Sequence, residues 1–272
     1  MKRPAAAAGA AVLGSAAAYL LVVRPWQLRW GATNEERDAT LDGDDLIPTP
    51  DLMATRAITV HTMAEHVWPW IAQLGQGRGG FYSYDALENL VGCDIHSADR
   101  IVPHWQDVKV GDQVKLAPEV GLGVAVVEQG RALVLRGGVP MGTVPPPYDF
   151  TWAFVVRERP GGTTRLLVRE CYAYTKRWAP FLLEPVAAVA FVMSQRMLRG
   201  IRDRAERGGR PDGLKRAAGS GWLTAAEPVQ AAVASAVSFA VGAVLRLLAI
   251  ALAPAPVRIL AWPGPRWGCW AG

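Results

Sequence analysis

Between residues 150 and 206 the chain changes its hydrophobic period once, and that change limits the folds open to it. Two apolar runs of strand length, residues 150–157 and 163–175, flank the link Arg159-Pro160-Gly161-Gly162, whose glycines mark a hairpin turn. On the second run Leu166, Val168, Glu170, Tyr172 and Tyr174 share a face, and on the first Trp152, Phe154 and Val156 do. From Pro180 to Glu206 the period becomes helical: Leu182, Val186, Val189, Met193 and Met197 make a stripe about 40 Å long at 1.5 Å per residue. An antiparallel pair feeding a long amphipathic helix buries both apolar faces when the sheet wraps around the helix.

The preceding residues extend this pattern. Residues 113–116, 123–127 and 132–136 are apolar runs separated by turn residues, so serial strands with short links predict an antiparallel meander. Upstream, ATRAITVHT at 54–62 reads as a strand by its β-branched content. Thr62 and Glu65 then form a T-x-x-E capping box before a short helix carried by Val67, Ile71 and Leu74, with Pro69 bending it. Ser83 and Asp85 open a second short helix through Leu87 and Leu90. Strand, two short helices, meander and long terminal helix make an α+β class with the helix-grip order.

Residues 75–112 concentrate chemistry where periodicity breaks down. Gly75, Gly77, Gly79 and Gly80 allow a loose turn, Phe81, Tyr82, Tyr84 and Trp105 supply flat surfaces, and Asp85, Asp94, His96, Asp99 and Arg100 supply charge. The set Asp94, His96, Asp99 and His104 holds suitable metal ligands, but its spacing matches no standard zinc or iron pattern. His96 oriented by Asp94 or Asp99 would suit general acid–base work, whereas Asp99 with Arg100 would suit a structural ion pair. The GQGRGG run lacks the Lys-Ser/Thr ending of a phosphate loop, leaving Arg78 as a conceivable anion contact.

Composition enters through two tracts. At 51% hydrophobic and 19% charged, the chain holds more apolar residues than one soluble domain needs. Residues 5–23 carry no charge, follow Lys2 and Arg3, and precede Arg24. Nineteen helical residues span about 28 Å, enough for a bilayer core. An uncleaved anchor is expected, with a cleaved signal peptide as the competing reading. Residues 229–257 are interrupted only by Arg246 and loosened by Pro254 and Pro256, which fits a second span or a packed helix. The boundaries expected are an anchor at 1–30, an acidic linker at 31–53, a ligand-binding domain at 54–208, and a basic linker with a hydrophobic segment at 209–272. The basic run at residues 196–216 favours a membrane-associated protein with its central domain cytoplasmic. It also turns the net charge of +5 away from a nucleic-acid partner. Cys93, Cys171 and Cys269 are odd in number and far apart, which fits a reducing compartment.

The residues RPWQLRWGATNEE at 24–36, LDGDDLIPTPDLMATRAITV at 41–60, the run from VWPWIAQLGQGRGG at 67 through HWQDVKVGD ending at 112, and RMLRGIRDRAE at 196–206 resemble the START/Bet v 1-like (SRPBCC) superfamily. Within it they resemble an actinobacterial subgroup similar to polyketide cyclase/dehydrase-like proteins. The resemblance implies a cavity for an apolar ligand between sheet and helix, lined here by Trp152, Phe154, Tyr172, Tyr174, Met193 and Met197. It brings no metal and no cofactor with it. An inward Glu170 would need a partner, for which Arg136 is available. Tyr82, Tyr84, Asp85, His96, Arg100 and Trp105 are expected at one mouth of that cavity. Three functions remain open: a membrane-tethered binder of a hydrophobic small molecule or lipid, a cyclase- or dehydratase-type enzyme using His96, and an interaction scaffold, which a filled interior would favour.

Overall fold

The computed structural model describes residues 17, 19–139 and 145–209; most of the expected anchor at residues 5–23, the basic linker beyond residue 209 and the second hydrophobic tract lie outside them. Six strands form one antiparallel sheet in the order β1-β6-β5-β4-β3-β2. They are β1 Leu52–Val60, β2 Gln113–Ala117, β3 Val120–Glu128, β4 Ala132–Gly137, β5 Tyr148–Arg159 and β6 Thr163–Tyr174. The short links between successive runs make β2 through β6 a meander, and β1 returns to pair with β6, from Leu52 opposite Tyr172 to Val60 opposite Thr164. Among the described residues five α-helices accompany the sheet: α1 Arg24–Leu28, α2 Asn34–Asp38, α3 Ala64–Ala72, α4 Asp85–Leu90 and α5 Ala179–Gly208. The architecture is α+β, with the sheet gripping α5.

Alternation along the strands sets the inner face. Ile58, Val60, Phe154, Val156, Leu166 and Val168 are buried there against Met197, Leu198, Ile201 and Ala205 of α5. Gly200 brings α5 onto the loop before α4. A Cβ at that position would lie 2.2 Å from the Tyr82 carbonyl oxygen, so no larger residue fits without displacing backbone. Among the described residues α5 is the one helix long and apolar enough to cross a membrane, and here it is the helix held by the sheet.

Two expected caps are absent. Met63 precedes α3 without a side-chain cap, and the Thr62 carbonyl instead accepts a hydrogen bond from Thr164 Oγ1 at 2.6 Å, fastening the strand exit to β6. Ser83 does not cap α4 either: Tyr84 stands at that position without a side-chain cap, while Asp85 lies in the first turn as expected and its carboxylate accepts from the Ser97 amide at 2.7 Å and the Ser97 hydroxyl at 2.6 Å.

The acidic segment is not a free connector. It runs over the outer face of the sheet, where Leu41 packs with Ala57, Ala132, Val155 and Leu167. Gly31, at φ 72°, sits so close to the sheet that a Cβ would meet the Ala57 carbonyl oxygen at 2.1 Å. Beside it the Ala57 amide donates to the Trp30 carbonyl at 3.1 Å, occupying part of the β1 edge. Glu36 is buried, completes a capping box with Thr33, and accepts from Arg165 at 2.7 Å and Arg159 at 3.0 Å. Arg169, on the outer face of β6, meets Asp44 at 2.5 Å. The segment's carboxylates therefore clamp it to arginines of the sheet.

Candidate functional site

Where β5 and β6 leave α5, the interior opens into a cavity of about 280 Å³. Its sheet wall comes from Phe150 and Trp152 of β5 and Glu170 and Tyr172 of β6, and its helix wall includes Met193 and Ser194. The aromatics brace one another. Trp152 meets Phe154 at 4.9 Å and Phe81 at 5.8 Å between ring centroids, and Phe150 meets Tyr172 at 4.6 Å. Offset and tilted contacts of this kind favour fixed ring positions and leave the thioether of Met193 as the adaptable part of the wall.

One polar corner interrupts this lining. Arg56 Nη1 donates to Glu170 Oε1 at 2.7 Å, and Ser194 Oγ donates to the same oxygen at 2.9 Å. Arg56 Nε also donates to the Gln27 carbonyl at 3.2 Å, so α1 helps to hold the guanidinium. Arg136, the partner expected for Glu170, instead pairs with Asp149 at 2.7 Å near the surface. Burial, then the adjacent Glu170 carboxylate, pushes the Tyr172 phenol well above its ordinary pKa; its hydroxyl is 3.5 Å from Glu170 Oε2. The corner is thus a charged pair enclosed by neutral donors.

A second polar element lies on α4. Ser83 Oγ donates to Glu88 Oε1 at 2.6 Å, while Glu88 Oε2 is buried without a hydrogen-bond partner. Burial raises the Glu88 carboxyl above the usual range, Ser83 opposes that, and Asp85 adds to it. The Trp152 indole nitrogen is likewise buried with no partner. Both residues line the cavity.

The structure splits the residues singled out from sequence. Trp152, Glu170, Tyr172 and Met193 share the cavity wall. The other six do not gather at its mouth. Tyr82 is buried in the core, its hydroxyl donating to the Trp70 carbonyl at 3.1 Å and accepting from Gln73 at 3.0 Å. Tyr84 lies under the Arg196 guanidinium at 5.8 Å, and Asp85 holds Ser97. His96 is exposed beside Asp94 at 3.2 Å. Arg100 is exposed, its carbonyl accepting from Gln73. The Trp105 carbonyl accepts from Arg78 Nη2, which also donates to the Ala72 carbonyl, while Arg78 Nε is buried without a hydrogen-bond partner. Asp99 pairs with Arg204 at 3.0 Å rather than with Arg100.

Sequence reasoning missed Arg56, Ser194 and Glu88, and it named Phe81 and Cys93 without placing them at the cavity. For Arg56 the signal was available: in a strand carrying Ile58 and Val60 inward, period two puts Arg56 on the same face. Glu88 has no such signal, because its place depends on how the loop before α4 folds back.

No family model matches the chain, and no curated protein does. Solved structures to which it is similar include CalU16 from Micromonospora echinospora (12% identity, 71% of this chain and 88% of that one, TM-score 0.36). They also include the hypothetical protein jhp0584 from Helicobacter pylori (14%, 62% and 96%, 0.37) and the Zhui aromatase/cyclase from Streptomyces sp. R1128 (14%, 62% and 99%, 0.35). Likenesses this distant carry no functional argument, and the reading of the site rests on its geometry.

Proposed function

We propose that this protein binds a hydrophobic small molecule or lipid, non-covalently, in the cavity between sheet and α5, and that residues 5–23 tether it to a membrane. The observation that carries the reading is an aromatic- and methionine-lined cavity of about 280 Å³ with two polar elements, at Glu170 and at Glu88, close to the lower end of the roughly 300–1,000 Å³ typical of small-ligand pockets. A filled interior was the expectation for a scaffold, and the cavity counts against it. Native mass spectrometry of detergent-purified protein tests the binding reading. The expected result is a copurifying apolar species that is lost when Ala190→Trp fills the cavity. The reading fails if no such species appears and N-phenyl-1-naphthylamine also gains no fluorescence on addition to the protein.

A second reading, a cyclase- or dehydratase-type enzyme acting on a polyketide-like substrate, draws support from Glu88. Its buried carboxyl with raised pKa is suited to donating a proton. His96, the acid–base candidate in the sequence, is exposed beside Asp94, one of the two carboxylates expected to orient it, so Glu88 carries this reading. Turnover of an aromatic polyketide substrate that survives His96→Ala and is lost in Glu88→Gln would favour it over binding alone.

A further inference from the structure

We infer that the folded domain itself docks on a phospholipid bilayer, through one face made by the Tyr19–Val23 turn, Trp26 and the start of α5. This rests on the membrane-tether reading above and adds a second contact, on the folded domain. Phe181 is 83% exposed, Leu21 77% and Val22 66%, with Trp26 and Trp178 at 50% and 43%. A soluble surface rarely gathers large apolar side chains in this way unless something covers them.

The two parts of the face are fixed to each other. Arg24 donates from Nε and Nη2 to the two carboxylate oxygens of Glu184, at 2.8 and 2.6 Å. Glu184 follows Phe181 by three residues, so both lie on one side of α5. Trp26 meets Phe191 of α5 at 5.0 Å between ring centroids. The face is therefore one surface built from two distant stretches of sequence.

A bilayer is the occupant this face fits. The uncharged sequence of residues 5–23, long enough for a bilayer core, ends in it. Two tryptophans flank the apolar patch, the arrangement favoured at the level of lipid headgroups. Across residues 17–30 and 174–184 the one acid is Glu184, which Arg24 neutralises, while Lys176 and Arg177 are exposed and suit anionic headgroups.

The test uses the full chain with Cys93→Ser and Cys269→Ser, leaving Cys171 buried, and a nitrobenzoxadiazole dye on Phe181→Cys or, as a control, on Glu119→Cys in the exposed β2–β3 turn. The protein is mixed with phosphatidylcholine–phosphatidylglycerol vesicles carrying doxyl-labelled lipid. The inference expects blue-shifted emission at position 181 with several-fold stronger quenching by the doxyl lipid than at 119. Equal quenching at the two positions in protein that resists alkaline carbonate extraction overturns the docking face and leaves the tether intact. A blue shift at 181 without lipid quenching also overturns it, since a second copy or another segment of the chain would then cover the face. Quenching at 181 in protein that carbonate removes upholds the docking face and refutes the tether.

Discussion

Arg56 and Glu170 meet at 2.7 Å on neighbouring strands, with side chains 0% and 4% exposed. Arg56 lies opposite Val168 and Ala54 opposite Glu170, so the pair is a diagonal contact on the inner face. Such a pair adds little net stability over an apolar replacement, but removing one member leaves an uncompensated charge. Glu170→Leu alone should destabilise the domain by roughly 3–5 kcal/mol, and Arg56→Met with Glu170→Leu should recover most of that loss. Urea unfolding followed by tryptophan fluorescence measures both. Losses that simply add in the double variant would mean the two residues act independently.

Glu36 fixes the N-terminal segment to the outer face, and its titration should be visible. Burial raises its carboxyl pKa, yet the hydrogen bond from Arg165, the Thr33 amide and the charges of Arg165 and Arg159 outweigh burial and hold it below the usual range. A depressed folded value means that the stabilisation is complete above the unfolded value of about 4.3 and is lost as pH falls through the lower folded value. The domain should therefore lose stability on acidification below about pH 4, and Glu36→Gln should be less stable at neutral pH with a shallower acid limb. Parallel acid slopes for the two proteins would assign the loss to other carboxylates.

How far the sequence reaches is seen by comparing these two clamps. Period two along β5 and β6 was enough to place Trp152, Phe154 and Glu170 inward, because burial on one face of an antiparallel sheet is a local property of the strand. The acidic run at residues 34–51 looked like a solvated connector because its carboxylates find their arginines, Arg159, Arg165 and Arg169, more than a hundred residues away. The loop at residues 75–112 failed for a related reason. Its aromatic and charged residues are largely engaged in holding the loop: Tyr82 to Trp70 and Gln73, Asp85 to Ser97, Asp99 to Arg204. Residue type alone does not separate side chains that build a loop from side chains that serve a cavity.

Cys93 offers a probe of that cavity. It lines the wall, and burial, then the Glu88 charge, raises its thiol pKa; burial pushes Cys171 to about 11. Scarce thiolate makes a slow nucleophile. Alkylation of Cys93 by iodoacetamide should be slow at pH 7, accelerate as pH rises, and slow again when N-phenyl-1-naphthylamine occupies the cavity, while Cys171 stays unmodified in the folded protein. Peptide mass mapping reads all three. Unchanged labelling of Cys93 under saturating probe would place the probe outside the cavity.

Trp152 and Glu88 make the sharpest statement about what the cavity accepts. Each has a buried polar atom without a partner, one a donor and the other an acceptor when ionised, in a wall otherwise mostly apolar. Leaving such a group unpaired costs about 1–3 kcal/mol, and a ligand that supplies the missing bond recovers part of it. Two probes of nearly equal shape separate this effect from apolar burial: 2-naphthol, which can donate and accept, and 2-methylnaphthalene, which can do neither. Calorimetric titration should show the wild-type protein preferring 2-naphthol by about tenfold or more, equivalent to about 1.4 kcal/mol. Trp152→Phe and Glu88→Leu should each reduce that preference while leaving affinity for 2-methylnaphthalene within about threefold, since the apolar wall remains. Equal affinity of the wild type for the two probes would mean that neither orphaned atom meets the ligand.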